Sequence, residues 1–119
     1  MTDREMLELA ARAAGIELTW NSMVNASRNP IIKYVDAYTY DEWNPLDDDG
    51  DALRLAVKLE LILCVRREGV TDATMHAPRT GMTPYLSFLE QHKDDPYAAT
   101  RRAIVRAAAE IGRQMEEAK

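Results

Sequence analysis

Apolar residues recur with a helical period in three segments of the chain, and each segment predicts an amphipathic helix. The segments cover residues 3–14, residues 48–59 and the stretch from residue 96 toward the C-terminus. Each follows side chains that can accept hydrogen bonds from backbone N–H groups, namely Thr2 or Asp3, Asp47 or Asp48, and Asp95. Gly15 supplies a stop for the first helix, and Gly112 inside the last one predicts either close packing or fraying.

Shorter segments between these helices carry patterns typical of β-strands. Residues 16–20 alternate apolar and polar side chains, residues 31–40 are rich in β-branched and aromatic ones, and we expect the two to form a hairpin. Residues 61–67, "LILCVRR", form a continuous apolar run that predicts a buried central strand. A tight turn leads to a short strand over about 70–76. The alternation in residues 85–92 favours one more strand, although residues 87–92 also fit a helical turn.

The resulting order is α-β-β-α-β-β-(β)-α, in a chain of 119 residues without an internal repeat or an interdomain linker. A chain of this length can bury a core of its own. Such an order packs most readily as helices against a sheet. The sequence therefore predicts one domain over residues 1–119, of mixed class (α+β or α/β), built as a helix–sheet–helix sandwich.

The net charge of −5 is unevenly distributed along the chain. Asp and Glu outnumber Lys and Arg by 12 to 6 over residues 1–60, whereas the numbers are 8 and 9 over residues 61–119. A protein that binds a long nucleic-acid backbone needs a basic surface to displace counterions, so this distribution argues against such binding. A small anionic ligand held by a few arginines stays allowed.

The cysteine content and the apolar runs bear on the compartment. Cys64 is the only cysteine, which excludes an internal disulfide, and its place in a predicted buried strand indicates an inert core thiol. The longest apolar run, residues 61–65, is too short to cross a bilayer, and the N-terminal residues lack the basic start of a signal peptide. We expect a cytoplasmic protein without a membrane partner.

An acidic segment, "LDDDGD", precedes the second helix. As an EF-hand it fails, because Gly50 at position 6 puts Pro45 at position 1 and Ala56 at position 12, where oxygen ligands are needed. The favoured interpretation is a capped helix start, in which the acids complement the helix dipole. If the segment binds a partner, that partner is expected to be cationic and to meet four carboxylates: Asp47, Asp48, Asp49 and Asp51.

No recognised catalytic or cofactor motif is present. His76 and His92 lack the spacing of a zinc site or of a catalytic triad, so exposed or packing histidines are favoured. The chain has neither a GxGxxG nor a Walker A sequence. We therefore assign no catalytic residue, no metal and no cofactor, and expect a protein that is not an enzyme.

Basic and aromatic side chains offer the best candidates for ligand binding. Arginine binds phosphate in a bidentate manner, and an aromatic ring can stack on a base. The loop of residues 76–84 contains two prolines and a glycine, as binding loops often do. The candidate ligand-binding residues are Arg79 and Thr80 on this loop, Arg101 and Arg102 on the last helix, and Trp43 and Tyr85 as stacking rings.

The segments "WNPLDDDGDALRLAVKLEL" and "DDPYAATRRAIVRAAAEIGR" resemble the phage ABA-sandwich family of small phage and prophage proteins. The matching positions are Trp43, Pro45, residues 51–53 and residues 99–104. The chain departs from the family pattern over residues 21–42 and 71–92. The resemblance implies a helix–sheet–helix sandwich and a phage origin, and it supplies no catalytic residues.

Four functional hypotheses follow from the resemblance together with the candidate residues. The first is a phage accessory protein, in the cytoplasm of the infected bacterium, that counters host defence by sequestering a nucleotide-derived immune signal; a pocket at a homo-oligomer interface would suit this role. The second is an inhibitor that binds a host defence protein through the acidic segment. The third is a metal-dependent nucleotide hydrolase that uses Asp47, Asp49 and Asp51. The fourth is a structural or regulatory phage protein without a small ligand.

Overall fold

The structure, a computed structural model, describes residues 1–20, 29–34, 40–75 and 86–118. In chain order, its elements are α1 (Asp3–Ala14), β1 (Ile31–Tyr34), β2 (Tyr40–Glu42), α2 (Asp49–Lys58), β3 (Ile62–Arg66), β4 (Val70–Met75), β5 (Leu86–Gln91) and α3 (Pro96–Glu117). Within the described residues, three helices and two antiparallel sheets form an α+β domain. The predicted fold class and the predicted order of elements are confirmed.

The helix ends follow the local sequence. Thr2 caps α1 reciprocally with Glu5: the Thr2 hydroxyl accepts from the Glu5 backbone N–H and the Glu5 carboxylate accepts from the Thr2 N–H, each at 3.1 Å. Gly15 ends α1 with a φ of 73°, a left-handed conformation that favours glycine. Asp48 and Asp95 cap α2 and α3 by accepting from backbone N–H groups. The three predicted helices are confirmed.

Helix α3 forms the centre of the domain. Its Ala103 and Ala107 are fully buried with Ala73 of β4, so small side chains allow the helix to lie close to the sheet. A larger core cluster joins α3 to α1 and α2. To that cluster α3 contributes Ile104, Val105, Ala108 and Ala109. Because α3 contacts both the sheet and the other helices, it is buried on most of its circumference along its middle turns.

Gly112 allows the close approach of α1 to α3. A Cβ at this position would lie 2.0 Å from the backbone oxygen of Leu9, far inside the normal contact distance of two nonbonded atoms. The sequence left close packing and fraying open as explanations for this glycine. Close packing is confirmed, because the helix continues to Glu117 past the contact.

The strand pairing of the N-terminal half differs from the predicted hairpin. Residues 16–20 form no strand and meet β1 through a single bridge, in which Thr19 and Ile31 exchange backbone hydrogen bonds of 2.9 and 2.8 Å. β1 pairs with β2 instead, with Ile31 opposite Glu42. The predicted strand over residues 31–40 is therefore wrong as a single element. β1 and β2 pair with each other, and the connection between them is shorter than the connection in the predicted hairpin, so its closure costs less entropy.

β3, β4 and β5 form an antiparallel sheet with β4 in the middle. Side chains alternate between its two faces. Ala73 and Phe88, which lie opposite each other, pack toward α3, whereas the opposed Asp72 and Leu89 lie on the outer face. The strand predicted over residues 85–92 is confirmed as β5.

The prediction of a buried central strand over residues 61–67 is wrong. β3 is an edge strand, and its Ile62 and Val65 are 49% and 60% exposed. Leu63 is the strand residue that packs against the core clusters. Cys64 is exposed, so it is not the core thiol that the sequence predicted. Apolarity alone does not separate an edge strand from a central one, because the position in the sheet is set by pairing partners that are distant in sequence.

α2 buries a narrower stripe than its helical period predicts. The period predicts a buried stripe of Ala52, Leu53, Leu55, Ala56 and Leu59, of which Ala52, Leu55 and Ala56 are buried against the core. Leu53 is 60% exposed, although the same period assigns it to the buried stripe. The reason is geometric: α2 contacts the core along one side only, and Leu53 lies on the flank of the helix next to β3 and the start of α3.

Candidate binding groove

The acidic segment of residues 47–51 is built into the start of α2. The Asp48 carboxylate accepts a hydrogen bond of 2.8 Å from the Asp51 backbone N–H. The Asp51 carboxylate accepts from the Asn44 N–H at 2.9 Å and pairs with Arg54 at 2.8 Å. These contacts satisfy free N–H groups and put negative charge at the positive end of the helix dipole. The predicted capped helix start is confirmed.

The other two aspartates of the segment bind donors outside α2. Asp47 accepts from the Asn44 side-chain amide at 3.3 Å, and Asp49 pairs with Arg101 of α3 at 2.6 Å. Across the described ranges, no group of three or more His, Cys, Asp or Glu side chains is arranged to hold a metal ion. The metal-dependent hydrolase stays a prediction, and a titration with Mg²⁺ followed by calorimetry tests it.

The two arginines of α3 that were predicted to bind phosphate are held in ion pairs. Arg101 is mostly buried and donates to the Leu46 carbonyl at 2.8 Å in addition to its ion pair, so it joins α3 to the turn before α2. Arg102 lies 3.3 Å from Asp3 of α1 and 3.6 Å from Glu90 of β5. Each guanidinium thus already has carboxylate or carbonyl acceptors, and the two serve different interfaces of the fold.

The remaining residues of the predicted nucleotide site do not join these arginines in a described pocket. Trp43 is 4% exposed and packs in the core cluster of the three helices, so its ring offers no open stacking face. The role observed for Trp43 is therefore packing within the core. Arg79, Thr80 and Tyr85 lie outside the described residues, as does His76. The nucleotide site stays a prediction, which depends on the loop of residues 76–84.

His92 belongs to a polar chain between the sheet and α3. Its Nε2 lies 2.7 Å from the hydroxyl of Thr71, which is fully buried, and that hydroxyl lies 2.9 Å from the hydroxyl of Thr100. This chain of hydrogen bonds supplies partners for the buried Thr71, which lies near the start of β4. A packing role for His92, which the sequence favoured, is therefore supported.

Charged side chains also meet on the outer face of the sheet. The pKa of the Arg66 guanidinium is raised above its ordinary value by a hydrogen bond with Cys64 and by the Asp72 carboxylate. The Asp72 carboxylate lies 2.7 Å from the guanidinium. Asp72 is buried, so the ion pair supplies the partner that its carboxylate needs there.

An open groove of about 500 Å³ lies between α2, β3 and the first turns of α3. We call it the apolar groove. Leu63 and the buried Ile104 form its floor, and the Asp49–Arg101 ion pair lies among the residues that line it. The residues that project from the three bounding elements are Leu53 of α2, Val65 of β3 and Tyr97 of α3.

The three projecting residues are unusually exposed for large apolar side chains that share one groove. Leu53 and Val65 are both 60% exposed and Tyr97 is 67% exposed. Val57, one helical turn beyond Leu53, is exposed as well and extends the apolar flank of α2. Contiguous apolar surface of this kind on a folded protein indicates a binding surface.

A second cleft, of about 570 Å³, lies between the end of α1, β2 and α2. Its lining includes charges of both signs, among them Asp41, Arg54 and Lys58. Arg54 is already paired with Asp51. Three acids and two bases line the cleft, and among its lining residues Ile32 is the one exposed large apolar side chain, so the apolar groove is the stronger candidate.

Comparison with protein-family models, with curated proteins and with solved structures found no match for this chain. The resemblance to phage ABA-sandwich proteins accordingly stays a prediction. Of the described helices, none is both long and apolar enough to span a membrane.

The sequence-based search missed the apolar groove because it assigned the walls of the groove to the core. Leu53 was expected in the buried stripe of α2 and Val65 in a buried strand. A signal was nevertheless present. Apolar residues at 52, 53, 55, 56, 57 and 59 cover an arc of the helix wider than one core-facing stripe requires. An excess of this kind predicts a second apolar contact on the flank of the helix.

Proposed function

We propose that this protein acts by binding another protein, and that the apolar groove receives an apolar anchor from that partner. One observation carries the proposal: three large apolar side chains from three different elements are exposed around a common groove. Burial of such side chains releases roughly 25 cal/mol for each Å² of apolar surface, so a partner that covers them gains affinity. Large apolar anchors in pockets contribute most of the energy of typical interfaces.

The charge around the apolar groove indicates the chemistry of the partner. Asp47, Asp48 and Asp49 are exposed at the start of α2, and Asp49 lines the groove. Asp49 and Arg101 neutralise each other in their ion pair, so the negative charge beside the groove comes from Asp47 and Asp48. We therefore propose that the partner presents an apolar anchor flanked by Lys or Arg. This combines the groove with the acidic partner-binding surface expected from the sequence.

The setting of this binding is a further part of the proposal. The resemblance to phage proteins makes a host defence protein the expected partner, and inhibition of that protein the expected effect. Sequestration of a nucleotide-derived signal is supported less well, because Arg101, Arg102 and Trp43 are engaged within the fold. To test that alternative, the protein is incubated with extract from defence-activated cells and then denatured. Release of a nucleotide on denaturation would support sequestration.

A photo-crosslinking experiment with a matched control tests the proposed interface. A photoreactive phenylalanine analogue at position 97 captures the partner in host cells, and the purified partner is then titrated with the unlabelled protein. We expect Leu53→Glu to weaken binding at least about ten-fold, or roughly 1.4 kcal/mol, because it puts a charge on the groove wall. Leu89→Glu makes the same change at an apolar side chain of similar exposure on β5, outside the groove, and should leave the affinity unchanged.

Two results would refute the proposed interface. One is equal affinity of the Leu53→Glu variant and the unchanged protein for the captured partner. The other is a crosslinked partner whose contact surface has neither an apolar anchor nor basic residues beside it. Circular dichroism of both variants verifies that the fold is retained, which is expected because both side chains are exposed.

A further inference from the structure

β3 has an unpaired outer edge with an apolar sequence. Within the described ranges, β3 pairs with β4 and with no other strand. On its outer edge, which we call the β3 edge, the strand of five residues, "ILCVR", thus presents N–H and C=O groups that no described strand pairs. Exposed edges with apolar side chains are templates for pairing with another strand. The first four residues of β3 contain no charge and no proline that would oppose such pairing.

β5, the other edge of the same sheet, is protected. Glu90 lies on the face of β5 that packs against α3, where it pairs with Arg102 and Arg106. An inward-pointing charge of this kind is a common device against edge pairing. The sheet thus has one edge that opposes association and one that permits it.

We propose that two copies of this chain associate through their β3 edges, in antiparallel orientation about a two-fold axis, to form one continuous six-stranded sheet. A two-fold axis perpendicular to the sheet keeps each face continuous, so residues directly opposite each other must lie on the same face. The axis can therefore pass by Leu63, Cys64 or Val65. The inference goes beyond the proposed function and does not depend on it, because it concerns the outer edge of β3.

One of the three registers is complementary along its whole length. With Leu63 on the axis, Leu61 lies opposite Val65 of the second copy and Ile62 lies opposite Cys64, so apolar side chains meet apolar ones. With Cys64 on the axis, Ile62 would face the charged Arg66 instead. With Val65 on the axis, Leu63 would face Arg67.

The charges at the two ends of β3 favour the same register. Glu60 precedes the strand, and Arg66 and Arg67 stand at its C-terminal end. Antiparallel association brings the N-terminal end of β3 in one copy to the C-terminal end of β3 in the other. With Leu63 on the axis, Glu60, which lies in the turn before β3 with a φ of 55°, comes near the Arg66 end of the second copy. Opposite charges across strands stabilise pairing, whereas a parallel arrangement would place like charges together.

Sedimentation measures the association directly. We expect a species of about twice the 13.5 kDa of one chain, and a dissociation constant that rises at least about ten-fold for Ile62→Lys, which puts a charge on the outer face beside the β3 edge. Leu89→Lys makes the same change at the protected edge strand and should leave the dissociation constant unchanged. A monomer up to millimolar concentration, or a dimer that Ile62→Lys does not weaken, overturns the proposal. Hydrogen exchange of β4 amides verifies the fold of each variant.

Thiol chemistry tests the register, because Cys64 is the only thiol in the chain. With Leu63 on the axis, the two Cys64 residues are diagonal neighbours about 7–8 Å apart. A disulfide requires a Cα separation of at most about 6.8 Å, so the unchanged protein should be joined by a short bismaleimide and resist oxidation. Ile62→Cys places a second thiol directly opposite Cys64 of the other copy and should form a disulfide-linked dimer on oxidation. A disulfide in the unchanged protein, or none in the Ile62→Cys variant, contradicts this register.

Discussion

At the scale of single residues, steric fit explains more of this protein than charge does. Gly112 is the clearest example, since it is the point at which the α3 backbone meets the carbonyl of Leu9 on α1. The glycine is a poor helix former, yet the two helices could not approach so closely with any other residue there. The cost in helix propensity is thus offset by packing between helices.

Gly112→Ala is expected to lower the free energy of unfolding by about 3 kcal/mol, because the added Cβ would force α1 away from α3. Chemical denaturation followed by circular dichroism measures the change. Gly50→Ala is the matched control. It lies in the first turn of α2, where a Cβ would meet side-chain atoms of Arg54 and Asp48 at 3.1 to 3.2 Å rather than a backbone. A Gly112→Ala variant as stable as Gly50→Ala would show that α1 can shift at little cost.

At the scale of elements, the acidic segment acts as the start of a helix. The carboxylates of Asp48 and Asp51 accept hydrogen bonds from backbone N–H groups, whereas the Asp47 carboxylate accepts one from the Asn44 side-chain amide. The four acids are therefore not equivalent in the fold, although the sequence presents them as one run. Local sequence was sufficient to predict the cap, because capping requires only contacts within one turn of the chain.

Asp48→Ala should lower the free energy of unfolding by about 1 kcal/mol, the usual effect of removing a helix cap. Asp47→Ala removes the same charge one residue earlier and should change stability by less than about 0.5 kcal/mol, since its bond is long and exposed. Thermal unfolding at fixed salt compares the two. Equal losses of unfolding free energy in the two variants would mean that the net charge of the segment, and not the cap, determines how the segment affects stability.

At the scale of the whole molecule, α3 connects the layers, so interactions at its C-terminal turns affect the packing of α1 as well. A hydrogen bond with Arg113 is the main cause that lowers the pKa of Glu110 below its ordinary value of 4.5. Arg12 of α1 binds Glu116 at 2.7 Å nearby. Arg113 belongs to α3 itself, so its pair with Glu110 stabilises the last turns of that helix, whereas the Arg12–Glu116 pair joins α1 to α3.

The lowered pKa of Glu110 predicts how stability depends on pH. A carboxylate with a depressed pKa contributes its stabilisation fully above its unfolded value, and the contribution is lost as the pH falls through the folded value. Glu110→Gln should therefore reduce stability at neutral pH and flatten the decline below pH 4.5. Urea denaturation at a series of pH values measures both effects. An unchanged pH profile would show that the Glu110–Arg113 pair does not contribute to folding.

The sequence by itself determined the helices, their caps, the β5 strand, the fold class and the order of elements. These features depend on hydrogen bonds and periodicities within a few residues of the chain. Tertiary structure alone decided that β3 lies at an edge, that Cys64 is exposed and that Trp43 is in the core. It also decided that Leu53, Val65 and Tyr97 share a groove. Each of these outcomes depends on which distant segment covers a side chain, and a local pattern of apolar residues carries no information about that segment.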